Sequence, residues 1–141
     1  MRFWDASAVV PLIVSESESA SCRRILAEDT ELIVWCLTPV EVTSALTRRL
    51  RENSLSLSLF RGAKDQLSVL EKAWSDVISF EAVRDRARRL LEIHPLRAAD
   101  SLQLAAALIA SEEKPSQLPF VSLDRNLARA AEKEGFELIE V

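Results

Sequence analysis

Four acidic residues of the 141-residue chain are surrounded by apolar residues and fall where predicted secondary-structure elements begin or end. Asp5 ends a first apolar segment, Glu41 follows a second, Asp124 follows a later one, and Asp100 opens the most apolar helical segment. In a parallel sheet, the carboxyl ends of the strands and the starts of the following helices share one edge. We therefore expect Asp5, Glu41 and Asp124 at one edge of the sheet, with Asp100 beside them.

Carboxylates gathered in this way repel each other, and each resists ionisation unless a cation neutralises the group. Hard oxygen ligands select Mg²⁺ or Mn²⁺, which retain several waters and bridge substrate phosphates. The expected metal ligands are Asp5, Asp100 and Asp124, with Glu41 binding directly or through a water molecule. The chemistry that follows is metal-assisted attack of water on a phosphodiester, with these four acids as the catalytic residues.

Helix capping is the alternative explanation for these acids. Aspartate is among the best N-cap residues, so Asp5, Asp100 and Asp124 could each cap a helix. The segment 38–41 also fits a capping box, with Pro39 at the first helical position. Capping explains each acid singly, whereas four acids that converge on one edge favour a metal site.

Short apolar segments that predict strands alternate with longer amphipathic segments that predict helices. The predicted strands are 3–4, 32–36, 77–78, 120–121 and 136–141. The predicted helices are 8–14, 19–27, 39–51, 60–74, 81–93, 97–111 and 125–134. Leu55, Leu57 and Leu59 alternate with serines at the period of a strand, but we predict a helix start there because the following residues are helical.

This alternation predicts an α/β protein with a mostly parallel sheet of four or five strands and helices on both faces, a three-layer α/β/α sandwich. No repeat, low-complexity stretch or linker interrupts it, so we expect residues 1–141 to form a single domain. The segment 102–110 is apolar nearly all round and needs burial on several sides. This helix, or the helices near Leu46 and Leu67, is therefore expected to provide a dimer surface.

Composition excludes several classes of protein. With only two glycines, the chain has neither a phosphate-binding GxxxxGK[ST] loop nor a GxGxxG motif, so no nucleotide cofactor is expected. The net charge of −4 argues against binding nucleic acid by bulk electrostatics, which leaves a local basic patch or a bound metal. No apolar run is long enough to span a membrane. An acid at position 5 does not fit the positively charged start and apolar stretch of a signal peptide. We therefore expect a cytoplasmic protein, with Cys22 and Cys36 as buried reduced thiols.

Four short motifs occur in order along the chain. They are DAS at 5–7, TPVEVTSA at 38–45, LRAADSLQLA at 96–105 and VSLD at 121–124, with Ala130, Ala131 and Gly135 beyond. This arrangement closely resembles the PIN-domain ribonucleases, and especially the VapC-type toxins of toxin–antitoxin pairs. The resemblance covers essentially the whole chain, and four motifs in this order are specific although each is weak alone.

The resemblance implies a Mg²⁺- or Mn²⁺-dependent endoribonuclease in which the four acids match the acidic quartet of the family. Ser7 and Ser122 match positions where a hydroxyl supports the metal-bound water or a ligand. The resemblance also implies an RNA substrate, a homodimer, and inhibition by a cognate antitoxin whose C-terminal segment covers the site. Some members carry a further acid just past the last one, where this chain has Asn126. The resemblance therefore does not decide whether the site binds one metal ion or two.

Several other side chains have two interpretations each. The arginines of two helices either face solvent or contact phosphate; they are Arg48, Arg49, Arg51, Arg84, Arg86, Arg88 and Arg89. Arg97, three residues before Asp100, either pairs with that acid or steers RNA. His94 is expected to place charge at a helix C terminus rather than to act as a general base. The tryptophans at 4, 35 and 74 are expected in the core or in an interface.

Two further classes of function compete with the nuclease. A catalytically inert RNA-binding or regulatory module of the same fold would lack a carboxylate, and all four are present. A phosphoacceptor module needs adjacent acids after the first strand and a late lysine near the site. Here Asp5 is followed by Ala6, and Lys133 lies deep in the last predicted helix. The leading hypothesis is therefore a metal-dependent endoribonuclease with toxin activity.

Overall fold

The computed structural model describes residues 1–141 and contains a sheet of five strands. The strands are β1 (Arg2–Trp4), β2 (Leu32–Trp35), β3 (Ser75–Val77), β4 (Phe120–Val121) and β5 (Leu138–Ile139). Their order across the sheet is β3–β2–β1–β4–β5, and all neighbouring pairs are parallel. The chain thus extends the sheet on one side of β1 and then on the other. This reversal places the ends of β1 and β4 side by side, the position where open parallel sheets bind ligands.

Seven α-helices connect the strands and cover both faces of the sheet. They are α1 (Ala6–Ile13), α2 (Ser19–Glu28), α3 (Thr38–Arg51), α4 (Leu57–Glu71), α5 (Phe80–Ile93), α6 (Ala98–Ala110) and α7 (Arg125–Lys133). A short 3₁₀ helix (Pro115–Gln117) precedes β4. No helix is both long enough and apolar enough to cross a membrane. The predicted α/β class with helices on both faces of a parallel sheet is confirmed.

Two hydrophobic clusters lie on opposite faces of the sheet, because successive strand residues point to opposite sides. Phe3, Trp35 and Phe120 belong to the cluster that includes residues of α5, α6 and α7. Their strand neighbours belong to the cluster that includes residues of α1 to α4; these neighbours are Trp4, Val34 and Val121. Trp74 is buried in the second cluster, so all three tryptophans are core residues, as one of the two interpretations predicts.

Helix α6 lies in the interior rather than at a surface. Its residues from Leu104 to Leu108 are at most 1% exposed, and the helix packs against α5, α7 and β2. Leu46 and Leu67 are also buried. The dimer surface predicted on α6 is therefore wrong, because its apolar side chains are already covered by this chain's own layers. The helices near Leu46 and Leu67, α3 and α4, keep exposed apolar residues such as Val40 and Leu59, so a dimer surface there stays a prediction.

The boundaries of several elements differ from the sequence prediction. Strand β5 covers two residues where six were predicted, and β3 begins at Ser75 rather than at Val77. The Leu55–Leu59 region does begin a helix, as predicted, because the Ser56 hydroxyl accepts the Leu59 N–H at 3.2 Å and caps α4.

Candidate active site

Asp5 directly follows β1 and is the N-cap residue of α1. Its carboxylate accepts the backbone N–H of Ser7 at 3.1 Å and the Ser7 hydroxyl at 2.8 Å. The residue is only 4% exposed. The capping interpretation therefore holds for Asp5, but the cap is formed at the edge where β1 and β4 end.

The hydroxyl of Ser7 ties this edge together. Besides donating to Asp5 Oδ1, Ser7 Oγ accepts the backbone N–H groups of Leu123 at 2.8 Å and Asp124 at 3.2 Å. Ser122 Oγ accepts the same Asp124 N–H at 3.0 Å and lies 3.4 Å from Ser7 Oγ. Both serines thus hold the segment after β4 against the segment after β1, which fixes the backbone on which two of the acids stand.

Asp124 caps α7, since its side chain accepts the Leu127 N–H at 2.9 Å. Asp100, in contrast, is no cap: it lies inside the first turn of α6, and the N-cap position is Arg97. Arg97 is exposed and forms no ion pair with Asp100 within 4.0 Å, although its backbone N–H and its charge both lower the pKa of Asp100. Half-buried Asp100 therefore lacks a direct ion pair, and the two interpretations of Arg97 stay open.

Glu41 does not form the capping box that the sequence suggests. Helix α3 begins at Thr38 itself, so the Thr38 hydroxyl is already inside the helix and no side chain caps it. Instead, Glu41 Oε1 accepts a hydrogen bond from Gln103 Nε2 of α6 at 3.0 Å. Its carboxylate is thus held across the interface between α3 and α6 rather than against its own helix.

The structure brings all four predicted acids to one open pocket of about 470 Å³. The polar and charged residues that line it are Asp5, Ser7, Glu16, Glu41, Arg48, Arg49, Asp100 and Asp124. They come from the ends of β1 and β4 and from α1, α3 and α6, together with the α1–α2 connection. The predicted convergence at the carboxyl edge of the sheet is therefore what the structure shows, whereas the chemistry of the acids remains a prediction.

Three carboxylates of this pocket, Asp5, Glu41 and Asp100, have a raised pKa and therefore resist ionisation. Burial raises the pKa of Asp5 to about 6, although hydrogen bonds to its carboxylate lower it. Burial also raises the pKa of Glu41 to about 7; a hydrogen bond from Gln103 lowers it, and the charges of Asp5 and Asp100 raise it further. The pKa of Asp100 is raised by burial and by the charge of Asp124, and it is lowered by the backbone N–H and the charge of Arg97. Burial is the largest cause of all three shifts.

The donor set fits a hard divalent cation in its chemistry. None of the four carboxylates lies within 4.0 Å of a lysine, arginine or histidine nitrogen. Carboxylate oxygens without counter-ions are the groups that Mg²⁺ and Mn²⁺ bind. However, no group of three or more His, Cys, Asp or Glu side chains is arranged to hold an ion. The four acids line one pocket without forming such a group.

Two residues at the pocket, Glu16 and Gln103, were not singled out from the sequence, and Arg48 was singled out only as one of several arginines that face solvent or contact phosphate. Glu16 lies in the connection after α1 and forms an ion pair with Arg49, at 2.6 Å between Oε1 and Nη1. Arg48 is exposed and has no acid within 4.0 Å. Gln103 is buried behind Glu41. Spacing could have indicated two of them, since Arg48 is two helical turns from Glu41 and Gln103 is three residues from Asp100.

The other residues considered in the sequence lie away from the acids. His94 is the C-cap of α5, where a helix-terminal role was expected, and its Nε2 is 2.6 Å from Glu134 Oε1. It does not line the acidic pocket. Both cysteines are free; Cys22 is buried and Cys36 is half-buried.

Comparison with known proteins identifies the family. The family model of the PIN domain matches residues 2–133, nearly the whole chain. The chain therefore belongs to the PIN domain family, whose members are generally metal-dependent nucleases, and at this coarse level it is a hydrolase with a nuclease fold. No curated protein matches the chain.

Proposed function

We propose that this PIN-domain protein is a Mg²⁺- or Mn²⁺-dependent endoribonuclease that hydrolyses RNA phosphodiester bonds with water. The observation that carries the proposal is the open pocket lined by Asp5, Glu41, Asp100 and Asp124, none of which has a cationic partner. The pKa of Asp5, Glu41 and Asp100 is raised, and a bound cation would stabilise the ionised form of these three carboxylates.

Asp5, Asp100 and Asp124 would hold the cation, and Glu41 would bind it directly or through water. A bound Mg²⁺ or Mn²⁺ supplies Lewis acidity toward the attacking water and the phosphate oxygens. Ser7 keeps the Asp5 carboxylate and the Asp124 backbone in place through three hydrogen bonds. These contacts orient the acids before substrate arrives, which lowers the cost of organising the transition state.

Arg48 provides the positive charge that meets the substrate. It lines the pocket, whereas Arg49 beside it is already paired with Glu16. A guanidinium without an internal partner binds phosphate oxygens through two parallel hydrogen bonds. Of the arginines of α3, we therefore expect Arg48 to contact the phosphate of the substrate.

No side-chain nucleophile is required for this reaction. The chain has no tyrosine, and its single histidine lies outside the pocket. The Ser7 hydroxyl donates to Asp5 and accepts two backbone N–H groups, which leaves it no free hydrogen-bonding capacity. Water is the nucleophile that this pocket can accommodate.

The biological role that follows from the resemblance to VapC-type proteins is that of a toxin in a toxin–antitoxin pair, acting in the cytoplasm as a single nuclease domain over residues 1–141. A cognate antitoxin would inhibit it by placing a cationic side chain among the four acids. The homodimer would use exposed apolar residues rather than α6; on α4, for example, Leu57 and Leu59 are 50% and 64% exposed. A neighbouring reading frame for a small DNA-binding protein would support this role.

The test is cleavage of total RNA by the purified chain. We expect fragments with Mg²⁺ or Mn²⁺, none with EDTA, and recovery when either ion is added back. Attack by water leaves no 2′,3′-cyclic phosphate on the products, in contrast to attack by the ribose hydroxyl. Cleavage that persists in EDTA, or cyclic-phosphate ends, would contradict the proposal.

A further inference from the structure

Gln103 is a fully buried amide directly behind the acidic pocket. It is 1% exposed and lies on α6, three residues after Asp100. Its Nε2 donates to Glu41 Oε1 at 3.0 Å and to Thr38 Oγ1 at 3.1 Å. Both acceptors belong to α3. Both hydrogens of this amide nitrogen are therefore donated to the helix that carries Glu41.

The other end of the same amide is unsatisfied. Gln103 Oε1 is inaccessible to solvent and has no hydrogen-bond partner. A buried polar atom without a partner costs free energy, and an apolar side chain of similar volume would avoid that cost. Packing between α3 and α6 therefore does not by itself explain why an amide occupies this position. What the amide adds is the N–H group aimed at Glu41.

Glu41 depends on this contact for its direction. Its carboxylate makes no hydrogen bond other than the one from Gln103, and it forms no salt bridge. The bond holds Oε1 and leaves Oε2 without a partner in the chain, while the residue lines the pocket. A carboxylate held by one oxygen has far less rotational freedom than a carboxylate held by none.

We propose that Gln103 is a positioning residue, which holds Glu41 Oε1 so that the second carboxylate oxygen is directed to a divalent cation in the pocket. This inference rests on the proposed function, because it assumes that the four acids bind such a cation. Partners that orient a metal ligand in this way typically change metal affinity by ~10–100-fold. The same range is therefore the expected loss when the amide is removed.

The test compares two variants of the full chain that lose different bonds of the same amide. Gln103→Met keeps length and volume but removes the donor to Glu41. Thr38→Val keeps that donor and removes only the second bond between α6 and α3. Binding of Mn²⁺ is measured by calorimetry, and the unfolding midpoint of each variant is measured in EDTA.

We expect Gln103→Met to bind Mn²⁺ ~10–100-fold more weakly and still to unfold cooperatively, with a lowered midpoint because Glu41 Oε1 and Thr38 Oγ1 lose their donor. Thr38→Val should bind Mn²⁺ as the unchanged chain does. Equal affinity in Gln103→Met, or an equal loss in Thr38→Val, overturns the positioning role while the proposed function stands. If the unchanged chain itself binds no Mn²⁺, the proposed function and this inference both fail.

Discussion

Asp5 combines two roles whose requirements conflict. As the N-cap of α1 it accepts hydrogen bonds from Ser7, which favour the ionised carboxylate. At 4% exposure and without a cation beside it, the same carboxylate loses most of its hydration, and burial raises its pKa from 3.8 to about 6. The folded chain therefore binds a proton at Asp5 more tightly than the unfolded chain does, so ionisation of Asp5 destabilises the cation-free protein.

We predict that Asp5→Asn stabilises the cation-free protein, and that this stabilisation depends on pH. Below about pH 4 the carboxyl is protonated in both states, so the two proteins should differ little in unfolding free energy. The difference should grow as pH rises from about 4 to about 6, and above that range it should approach ~3 kcal/mol for a shift of two units. Urea unfolding in EDTA at several pH values measures it. A difference that does not change with pH would contradict this account of Asp5.

Arg48 and Arg51 form a matched pair for testing substrate contact. Both are exposed arginines of α3, but only Arg48 lines the acidic pocket. We predict that, in Mn²⁺ and on the slowly cleaving Asp5→Asn background, Arg48→Ala weakens RNA binding and reduces the salt dependence of binding by about one phosphate contact. Arg51→Ala should leave both quantities unchanged. Equal losses in the two variants would show that RNA responds to general charge instead of to this pocket.

At the scale of elements, the Ser7 hydroxyl makes most of the side-chain hydrogen bonds at the junction between the end of β1 and the end of β4. Ser7 Oγ is the acceptor for the Leu123 N–H, and Ser122 shares the Asp124 N–H with it. Removing the Ser7 hydroxyl leaves the Leu123 N–H without this partner and frees one side of the Asp5 carboxylate. The two acids that flank the junction would then be held less firmly.

We predict that Ser7→Ala lowers the free energy of unfolding by ~1–3 kcal/mol, because it leaves a part-buried donor unsatisfied. Ser111→Ala is the control, since the buried Ser111 hydroxyl donates only to Leu108 O and supports no other group. Its loss should cost less. Denaturant unfolding of both variants provides the comparison; a Ser7→Ala cost no larger than that of the control would refute the role of Ser7 at the junction.

The sequence predicted the elements well because the signals for them are local. Asp124 directly follows a predicted strand, and the edge to which it points follows from parallel pairing. Strand order does not follow from local patterns, because it depends on which side of β1 each crossover returns to.

The hydrogen-bond partner of the Glu41 carboxylate could not be predicted either. The sequence suggests a local capping box, whereas the actual donor, Gln103, is distant in sequence. The all-round apolar pattern of α6 fits an interior helix and an interface helix equally, so the sequence alone could not show that α6 lies in the interior.

At the scale of the whole molecule, the four acids account for the entire net charge of −4, and the rest of the chain is neutral. A polyanion such as RNA is therefore repelled where the sheet brings these acids together, at the point where strand order reverses. A divalent cation in the pocket would remove that repulsion and the mutual repulsion of the acids at once. The charge distribution therefore supports the proposed metal dependence.

The measurement that tests the central claim most directly is the rate of RNA cleavage in Mn²⁺ by the unchanged chain, by Asp5→Asn and by Asp76→Asn. Asp76 is an exposed acid of β3 outside the pocket, so its change removes one charge without touching the site. We predict that Asp5→Asn cleaves at least ~100-fold more slowly, as the loss of one strong transition-state contact does elsewhere, whereas Asp76→Asn keeps the full rate. Equal rates for Asp5→Asn and the unchanged chain would contradict the assignment of this pocket as the active site.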